Sequence, residues 1–483
     1  MSTITLSETK NVGFWRLFGL TVGGIVLYAY AYVTAGGFVD TAGNAAIYVG
    51  VLGAIVVLLV SVPILEYARL VRFAGGYYGL AELGFGKAVG KFTALSNYFY
   101  YFFWQPGTGL LQSMTMMIGY YIITGVLPPA WLFIVVALVT VTAYTLVAVY
   151  NVNLSTKIIL ASVVVQFIIV IVSSVYVIAR SPYNSLTFLN PDSAPGGFSA
   201  IALGASIAGF LTFTGYGSAL FYTEEGKEAK RVAWKAIIIG VLSVLLIGSL
   251  SVYSELAAVK NIGTVSSSAI PLLTAYGSYI GTYGLIFFYV AFLPIIVTSL
   301  AAGTGAYARL VWSLSRDNFW KNKWMRKLKS NVPVNAALFN LMLSYVFIIV
   351  VSLVMLNIYG YSESTLFFIG YAPLTASVIA WYFHHFIPDL ALGVYIHKFK
   401  IKVSRIRFII TAIVTPLLGV GIFSYAFYAG IISNAVEPYL AFVIAAIVFI
   451  AAGGIFVVYK TIKHQLGESY VDNLAEKEGI KGP

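Results

Sequence analysis

The side chains that could carry out acid–base, nucleophilic or metal chemistry are few in this sequence of 483 residues. It contains no cysteine, four histidines and 17 Asp and Glu residues, which excludes disulfides and thiolate metal sites. His384 and His385 are adjacent, but Asp389 is the one acid near them, and we expect no metal site there. The chain has no GxxxxGK(S/T) phosphate loop, GxSxG elbow or HExxH pair. We therefore expect neither an enzyme nor direct nucleotide-driven transport.

Glycines in two apolar stretches offer another kind of chemistry, the binding of a ligand by free backbone groups. Gly23 and Gly24 lie in the first stretch, and a Gly-Tyr-Gly triplet occupies 215–217. A backbone inside a membrane must hydrogen-bond to itself unless it borders protein or a wet cavity. Interrupted helices at these points would therefore mark a binding cavity. The alternative is close helix packing, which small residues also favour.

The elements that hold these glycines are apolar segments long enough to cross a membrane. Hydrophobic residues make up 60% of the chain and charged residues 10%, which is typical of neither a soluble domain nor a nucleic-acid-binding protein. An apolar helix needs roughly 20 residues to cross a bilayer. The charge-free runs predict twelve spans, near 17–39, 44–67, 92–122, 130–150, 155–179, 198–221, 235–256, 282–307, 335–357, 364–387, 408–430 and 438–459.

The basic residues predict the orientation of these spans. With twelve spans and cytoplasmic termini, 27 of the 29 Lys and Arg residues fall on the cytoplasmic side, and Arg180 and Lys260 remain outside. Such a bias is the usual signature of correct topology. We therefore predict a multi-pass protein of the cell membrane with both termini in the cytoplasm.

The two glycine-interrupted spans are the first and the sixth, five spans apart. That separation is typical of inverted-repeat transporters with discontinuous helices. The predicted fold class is thus an all-α polytopic membrane protein with twelve transmembrane helices, a 5+5 inverted repeat with broken helices 1 and 6, and two extra helices. The predicted parts are an N-terminal segment (1–16), the first repeat (17–179), the second repeat (198–387), helices 11 and 12 (408–459) and a C-terminal tail (460–483).

Four passages, in order and at appropriate spacing, resemble the amino acid–polyamine–organocation superfamily of permeases. They are the segments 75–101, 210–237, 306–319 and 332–338. The resemblance extends over about residues 12–390. It implies a substrate held at mid-membrane between unwound parts of helices 1 and 6, where N–H groups suit a carboxylate and carbonyls suit an ammonium group.

Carried over residue by residue, the resemblance implies a substrate site at Val26, Leu27, Tyr28, Ala29, Phe210, Phe213, Thr214, Gly215 and Tyr216. On helix 3, Asn97, Tyr101 and Gln105 share one helical face and are a candidate pocket for the substrate side chain. Gln166, Thr298 and Ser299 form a candidate coupling-ion region. Proton and sodium coupling both stay open, and no metal or other cofactor is expected.

The chain departs from the family pattern at three of these positions. Leu27-Tyr28-Ala29 replaces a Gly-small-Gly pattern, Gly217 replaces a frequent acid, and the neutral Gln166 replaces an ionisable residue of some proton-coupled members. An amide cannot release a proton near physiological pH.

These observations predict a secondary active transporter that moves amino acids or related amines by alternating access. An ion gradient or exchange would drive it. The alternative is an amino acid sensor or membrane enzyme on the same scaffold, without net transport. The expected partners are a small-molecule substrate and the lipid bilayer, with no nucleic acid, and the oligomeric state is not predicted.

Overall fold

The computed structural model describes residues 12–226, 228–433 and 436–477. Apart from one isolated bridge between Lys329 and Val332, the regular structure of these residues is helical. Two parts of the predicted terminal segments, residues 1–11 and 478–483, lie outside the described residues.

Twelve long segments, named α1 to α12, follow one another along the described chain, and each overlaps one predicted span. They are α1 (Phe14–Ala45), α2 (Ile47–Leu70), α3 (Lys87–Thr124), α4 (Ala130–Tyr150), α5 (Val152–Arg180), α6 (198–225), α7 (Ala229–Ala258), α8 (Pro271–Arg316), α9 (Val334–Tyr359), α10 (Glu363–Lys398), α11 (Arg405–Ala429) and α12 (Tyr439–Ile462). Short helices at Tyr78–Phe85, Gly263–Ser266 and Tyr470–Lys477 lie between or after them.

Ten of these segments are long and apolar enough to cross a membrane, judged by length and composition over the described residues. The two others are α3, which is rich in Tyr, Gln, Ser and Thr, and α6, which is assembled from short helical pieces. The all-helical membrane architecture is therefore confirmed, whereas the count of twelve spans and the inverted repeat stay predictions.

The burial of the apolar segments separates a central group from a peripheral one. In α1, 83% of the most apolar window is buried inside the protein, against 28% in each of α9, α11 and α12. The broken α1 packs against α6, α7 and α8, and α10 packs along α3. The helices predicted to hold the site therefore lie at the centre, and the exposed apolar faces of the others suit a lipid environment.

The first break lies where α1 changes direction at Val26. The helix Phe14–Ile25 ends there because Val26 adopts φ 62° and ψ 64°, a left-handed conformation that is exceptional for a β-branched residue. A short turn, Leu27–Ala29, and a π-helical turn, Tyr30–Thr34, lead to the second half, Ala35–Ala42. The predicted interruption thus occurs at Val26, whereas the next three residues are helical.

The second break makes α6 irregular over most of its length. A helix at Phe198–Gly204 passes through a π-helical turn at Ala205–Gly209 into a 3₁₀ helix at Leu211–Glu225 that is 15 residues long. Runs of 3₁₀ helix longer than three or four residues are uncommon, and mid-helix stretches often mark functional hinges. The segment α6 is therefore a continuous but modified helix rather than two α-helices joined by a loop.

Candidate functional site

The two interrupted segments cross each other at one pair of glycines. A Cβ atom built on Gly215 would overlap the carbonyl oxygen of Gly24, and one built on Gly24 would overlap the carbonyl oxygen of Gly215. The backbones of α1 and α6 therefore touch without intervening side chains. Only glycine permits such a close approach of two backbones, which explains why positions 24 and 215 are both glycine.

A cavity of about 1060 Å³ begins at this crossing and extends toward one face of the molecule. Its inner end is lined by Gly24, Ile25 and Val26 of α1, by Thr214 and Gly215 of α6, and by Tyr100 of α3. Its mouth is lined by Asp40, Thr264, Ser267 and Ser364, all exposed. The cavity therefore connects the helix breaks to the surface on the side where α1 ends and α10 begins.

The charged side chains on the cavity wall are all acidic in the part of the chain that the structure describes. They are Asp40 at the end of α1 and Glu363 at the start of α10. A cleft lined by one sign of charge concentrates ligands of the opposite sign. The mouth therefore favours a molecule that carries a positive group.

Aromatic and neutral polar side chains make up much of the remaining wall. Tyr30, Tyr100, Trp104, Phe367, Tyr371 and Tyr382 are among the aromatic ones. Thr108, Gln112, Thr212 and Ser377 contribute hydroxyl and amide groups. Aromatic faces attract ammonium groups, and neutral polar groups orient a ligand without a buried charge.

The opposite end of the central helices is closed by two buried arginine–glutamate pairs. Arg309 Nε of α8 lies 2.5 Å from Glu225 Oε1, and Arg316 Nη1 lies 2.8 Å from Glu224 Oε1. Both glutamates end the 3₁₀ helix of α6, so the pairs join α6 to α8. Water is thereby excluded from this end of the cavity.

A third buried charge cluster, next to these pairs, joins the short helix Tyr78–Phe85 to α3 and to the end of α8. Lys91 Nζ lies 3.0 Å from Glu82 Oε2 and 2.5 Å from Asp317 Oδ2. Burial raises the pKa of the Glu82 carboxyl, and Lys91 opposes this rise. Two acids and one lysine thus share a site with little access to water.

The C-terminal segment covers this closed end. The Arg316 guanidinium carbon lies 3.6 Å from the centre of the Tyr470 ring, and the Glu468 N–H donates to the carbonyl oxygen of Asp317 at 2.6 Å. The cavity is therefore open at one face and sealed at the other by side-chain pairs and a folded tail.

Comparison with known proteins agrees with this arrangement. The model of the amino acid permease family matches residues 12–460. The chain belongs to this family. The predicted resemblance is thereby confirmed, and the protein is a membrane transporter rather than an enzyme. A search of curated proteins finds no match.

Solved structures with the same fold include two of the manganese transporter of Eremococcus coleocola. A mutant of that transporter is 14% identical, with a TM-score of 0.57 over 95% of this chain and 98% of that one. Its complex with an aromatic bis-isothiourea substituted compound is also 14% identical, with a TM-score of 0.59 over 96% and 98% of the two chains. At this identity the likeness concerns the fold alone.

Four of the residues predicted to bind substrate lie on the cavity wall of this permease. They are Val26, Ala29, Thr214 and Gly215. All belong to the two interrupted segments, so the structure brings the two halves of the predicted site together. Their role in substrate binding stays a prediction.

The bulky side chains of the predicted site lie behind the wall in this conformation. Leu27 is fully buried, and the Tyr28 ring packs against Phe292 of α8 with 5.5 Å between ring centres. Phe210 packs against Trp381 of α10, Phe213 against Tyr30, and the Tyr216 hydroxyl lies 3.0 Å from His385. These residues support the cavity through their neighbours rather than lining it.

The cavity-facing stripe of α3 is displaced by one residue from the predicted one. Asn97, Tyr101 and Gln105 are buried away from the wall; the Tyr101 ring stacks on Tyr307, and Gln105 contacts Thr145. Tyr100, Trp104 and Thr108 line the cavity instead. Both stripes have i, i+4 spacing, and they differ by about 100° of rotation on the helix.

The three candidate coupling residues meet where α5 and α8 pack behind the α1 break. Gln166 Nε2 donates to Ser299 Oγ at 2.8 Å, and its Oε1 accepts the Tyr28 N–H at 3.1 Å. Thr298 joins the same cluster through Ser162. Gln166 therefore satisfies a backbone donor that the break at Val26 leaves without a helical partner.

Two buried acids add to the residues considered from the sequence as functional candidates. Glu255 near the end of α7 is fully buried and accepts a hydrogen bond from Ser251 at 3.1 Å. Asp389 of α10 is 1% exposed. From the sequence, Asp389 was considered only as a metal ligand and Glu255 not at all. Each lies at the end of a charge-free run, and an acid next to such a run is the signal that could have found them. The described residues contain no group of three or more His, Cys, Asp or Glu able to hold a metal ion.

Proposed function

We propose that this permease moves amino acids or related amines across the membrane by alternating access. The observation that carries the proposal is one cavity that starts at the crossing of both helix breaks, is acidic at its mouth and is sealed at its other end. Backbone groups around Val26 and Gly215 would bind the carboxylate and ammonium groups. The acidic mouth would attract the ammonium group.

A metal cargo is disfavoured by the composition of the site. The similar solved structures belong to a manganese transporter, and transition metals need several oxygen or nitrogen ligands from the protein. Among the described residues, no three His, Cys, Asp or Glu side chains gather to supply them. An aromatic, neutral-polar wall is better matched to an amine.

The basic residues support an orientation in which the sealed end faces the cytoplasm. Most of them, including Arg309, Arg316 and Lys91, lie on the side opposite the cavity mouth. By the charge rule this side is cytoplasmic, so the cavity opens outward.

Because the chain has no cysteine, Ser267→Cys at the mouth provides a unique thiol. An impermeant maleimide applied to intact cells should label it and should not label Lys321→Cys.

Counterflow in proteoliposomes tests the transport proposal. Vesicles loaded with each of the 20 amino acids, or with putrescine or spermidine, should take up the corresponding labelled compound for at least one member of the panel. Absence of counterflow with every compound would refute the proposal. Binding without counterflow, seen as thermal stabilisation, would favour the sensor alternative.

A substitution of Gly215 tests whether the crossing of α1 and α6 takes part in transport. Gly215→Ala places a methyl group against the Gly24 carbonyl and should reduce counterflow at least about tenfold, the effect of 1.4 kcal/mol or more. Gly421→Ala in α11 is the matched control, because the space around that exposed glycine is open. Both variants should reach the membrane in normal amounts, and equal counterflow by both would remove the crossing from the site.

A further inference from the structure

Three ionisable side chains lie together in the second half of α10, away from the cavity mouth. His384, His385 and Asp389 are each at most 1% exposed. His385 and Asp389 are four residues apart, so they occupy one face of the helix. Ionisable groups inside a membrane protein are costly and therefore mark functional positions by default.

Asp389 is distinguished by the absence of a compensating partner. Neither of its carboxylate oxygens has a hydrogen-bond partner among the described residues. Gly419 of α11 faces one of these oxygens, so no side chain covers it from that direction. His385 Nδ1 also lacks a partner within the described chain. A buried carboxylate without a cation or donors is unfavourable, and binding a proton removes its charge.

The charged groups of the surrounding elements are engaged elsewhere. Glu66 of α2 pairs with Arg69 and with Arg407 of α11. Lys398, at the end of α10, bonds to the carbonyl oxygen of Leu83. Glu82, in the short helix that packs on α10, pairs with Lys91. None of these groups neutralises Asp389.

The remaining titratable groups near Asp389 are tyrosines and the two histidines. Tyr77 precedes the short helix Tyr78–Phe85, and its ring packs at a tilt against His385 with 4.4 Å between ring centres. Tyr216 belongs to α6, and Tyr100 to α3. On α2 and α10, Tyr67 and Tyr395 pack against each other. These phenols are neutral near physiological pH, so they provide no positive charge that would stabilise the Asp389 carboxylate.

The cluster is connected directly to the broken segment of α6. His385 Nε2 lies 3.0 Å from the Tyr216 hydroxyl, and Tyr216 follows Gly215, which contacts the break of α1. The His385 ring also stacks on Trp381 at 3.7 Å, which fixes its orientation. The contact between His385 and Tyr216 therefore joins this cluster to the interrupted part of α6.

The cluster is also one side chain away from the cavity. Tyr100 lines the cavity and contacts the His384 ring with 5.3 Å between ring centres. Ring contacts therefore lead from Tyr100 to His384 and from His384 to His385, and Asp389 follows His385 by about one helical turn. Histidine is a common proton shuttle in proteins, and the two imidazole rings lie between the cavity wall and Asp389.

We propose that Asp389, assisted by His385, binds the proton that couples transport to a pH gradient. This proposal rests on the proposed function and supplies its coupling ion. A proton enters from the open cavity and converts the Asp389 carboxylate to the neutral acid, without any other bond change. The neutral acid is compatible with the sealed conformation, and opening of the opposite end exposes it to water, where the proton leaves.

The test compares Asp389→Asn with Asp192→Asn in proteoliposomes. Asp192 lies in an exposed turn and is the matched control. The substrate is the labelled panel compound with the highest counterflow.

For one proton per substrate, each pH unit of gradient supports up to about tenfold accumulation. Wild type and Asp192→Asn should accumulate the compound in response to the gradient. Asp389→Asn should lose accumulation while retaining counterflow, which needs no net proton movement.

The outcomes separate this proposal from the proposed function. Wild-type counterflow without any response to a pH gradient would overturn the proton site and leave the transport function intact. Accumulation by Asp389→Asn equal to that of Asp192→Asn would also overturn it. Failure of wild-type counterflow with the whole panel would instead refute the proposed function.

An infrared titration keeps the proposal testable if Asp389→Asn loses counterflow as well. The purified full-length protein should show a protonated carboxyl band that disappears with rising pH, and Asp389→Asn should lack this component. Glu255→Gln identifies the contribution of the other buried acid. An identical carboxyl titration in wild type and Asp389→Asn would refute proton binding at Asp389.

Discussion

At the scale of single residues, Gln166 shows how one side chain can serve the architecture of a helix break. Its carbonyl oxygen accepts the Tyr28 N–H, and its amide nitrogen donates to Ser299. It thus fastens α5 to both α1 and α8. Its neutral amide is consistent with a coupling proton bound elsewhere, as proposed for Asp389.

Replacing Gln166 by Leu should destabilise the protein without adding volume to the cavity. The Tyr28 N–H and the Ser299 hydroxyl would lose partners inside the protein, and each unsatisfied buried group costs about 1–3 kcal/mol. The melting temperature of the purified protein should therefore fall relative to wild type. Gln465→Leu, at an exposed turn, should melt as wild type does. Equal melting of both variants would show that Gln166 does not stabilise the break.

The sequence predicted the residues of the crossing better than the residues around it. Gly215 and Val26 were predicted from glycine spacing and family resemblance, and both lie on the wall. The displaced stripe of α3 shows the limit. Tyr100 and Tyr101 are both buried aromatic residues, so side-chain type does not indicate which of them faces the cavity. Tertiary packing decides that rotation.

At the scale of elements, the short helix Tyr78–Phe85 matters through its charges. It places Glu82 against Lys91, which also pairs with Asp317 after the end of α8. The pKa of the Glu82 carboxyl is raised because burial disfavours the carboxylate. When the pKa of a carboxyl is higher in the folded protein than in the unfolded chain, the free energy of unfolding decreases as the pH rises from the unfolded pKa to the folded pKa. Ionisation of Glu82 should therefore lower the free energy of unfolding of the protein.

Glu82→Gln should make thermal stability less dependent on pH. Between about pH 4.5 and 7, above the unfolded pKa of a glutamate, the melting temperature of wild type should decrease more than that of the variant. Glu476→Gln, in the exposed part of the C-terminal helix, is the control and should follow wild type. A steeper pH dependence in Glu82→Gln than in wild type would contradict the raised pKa.

The elements themselves were largely predictable, because charge-free runs and basic residues depend on the membrane rather than on packing. The form of the breaks was not. Nothing in the sequence 211–225 distinguishes 15 residues of 3₁₀ helix from an α-helix with a loop. That choice depends on close contacts such as Gly217 against the Tyr77 hydroxyl.

At the scale of the whole molecule, the proposed alternating access makes the form with a sealed end and an open mouth one of two conformations. The Arg309–Glu225 and Arg316–Glu224 pairs stabilise the mouth-open form. Alternating access requires these pairs to separate when the mouth closes. Their strength therefore sets the balance between the two forms.

Arg309→Met should shift this balance toward the mouth-closed form. It removes the Arg309–Glu225 pair, and breaking a buried pair costs about 3–5 kcal/mol in the conformation that contains it. In the Ser267→Cys background, maleimide labelling at the mouth should become slower. Arg405→Met, at an exposed site at the start of α11, should leave labelling unchanged. Faster labelling in Arg309→Met would contradict the assignment of this pair to the mouth-open form.

The length of the 3₁₀ helix in α6 bears on the balance between the two forms. At a rise of about 2.0 Å per residue its 15 residues span about 30 Å, whereas the same residues as an α-helix would span about 22 Å. Gly215 lies ten residues before Glu225, so a change to α-helical pitch would move Glu225 by about 5 Å along the helix axis relative to Gly215. A displacement of that size exceeds the N···O distances of the two ion pairs at this end, so a change of helix type in this segment would be enough to separate them.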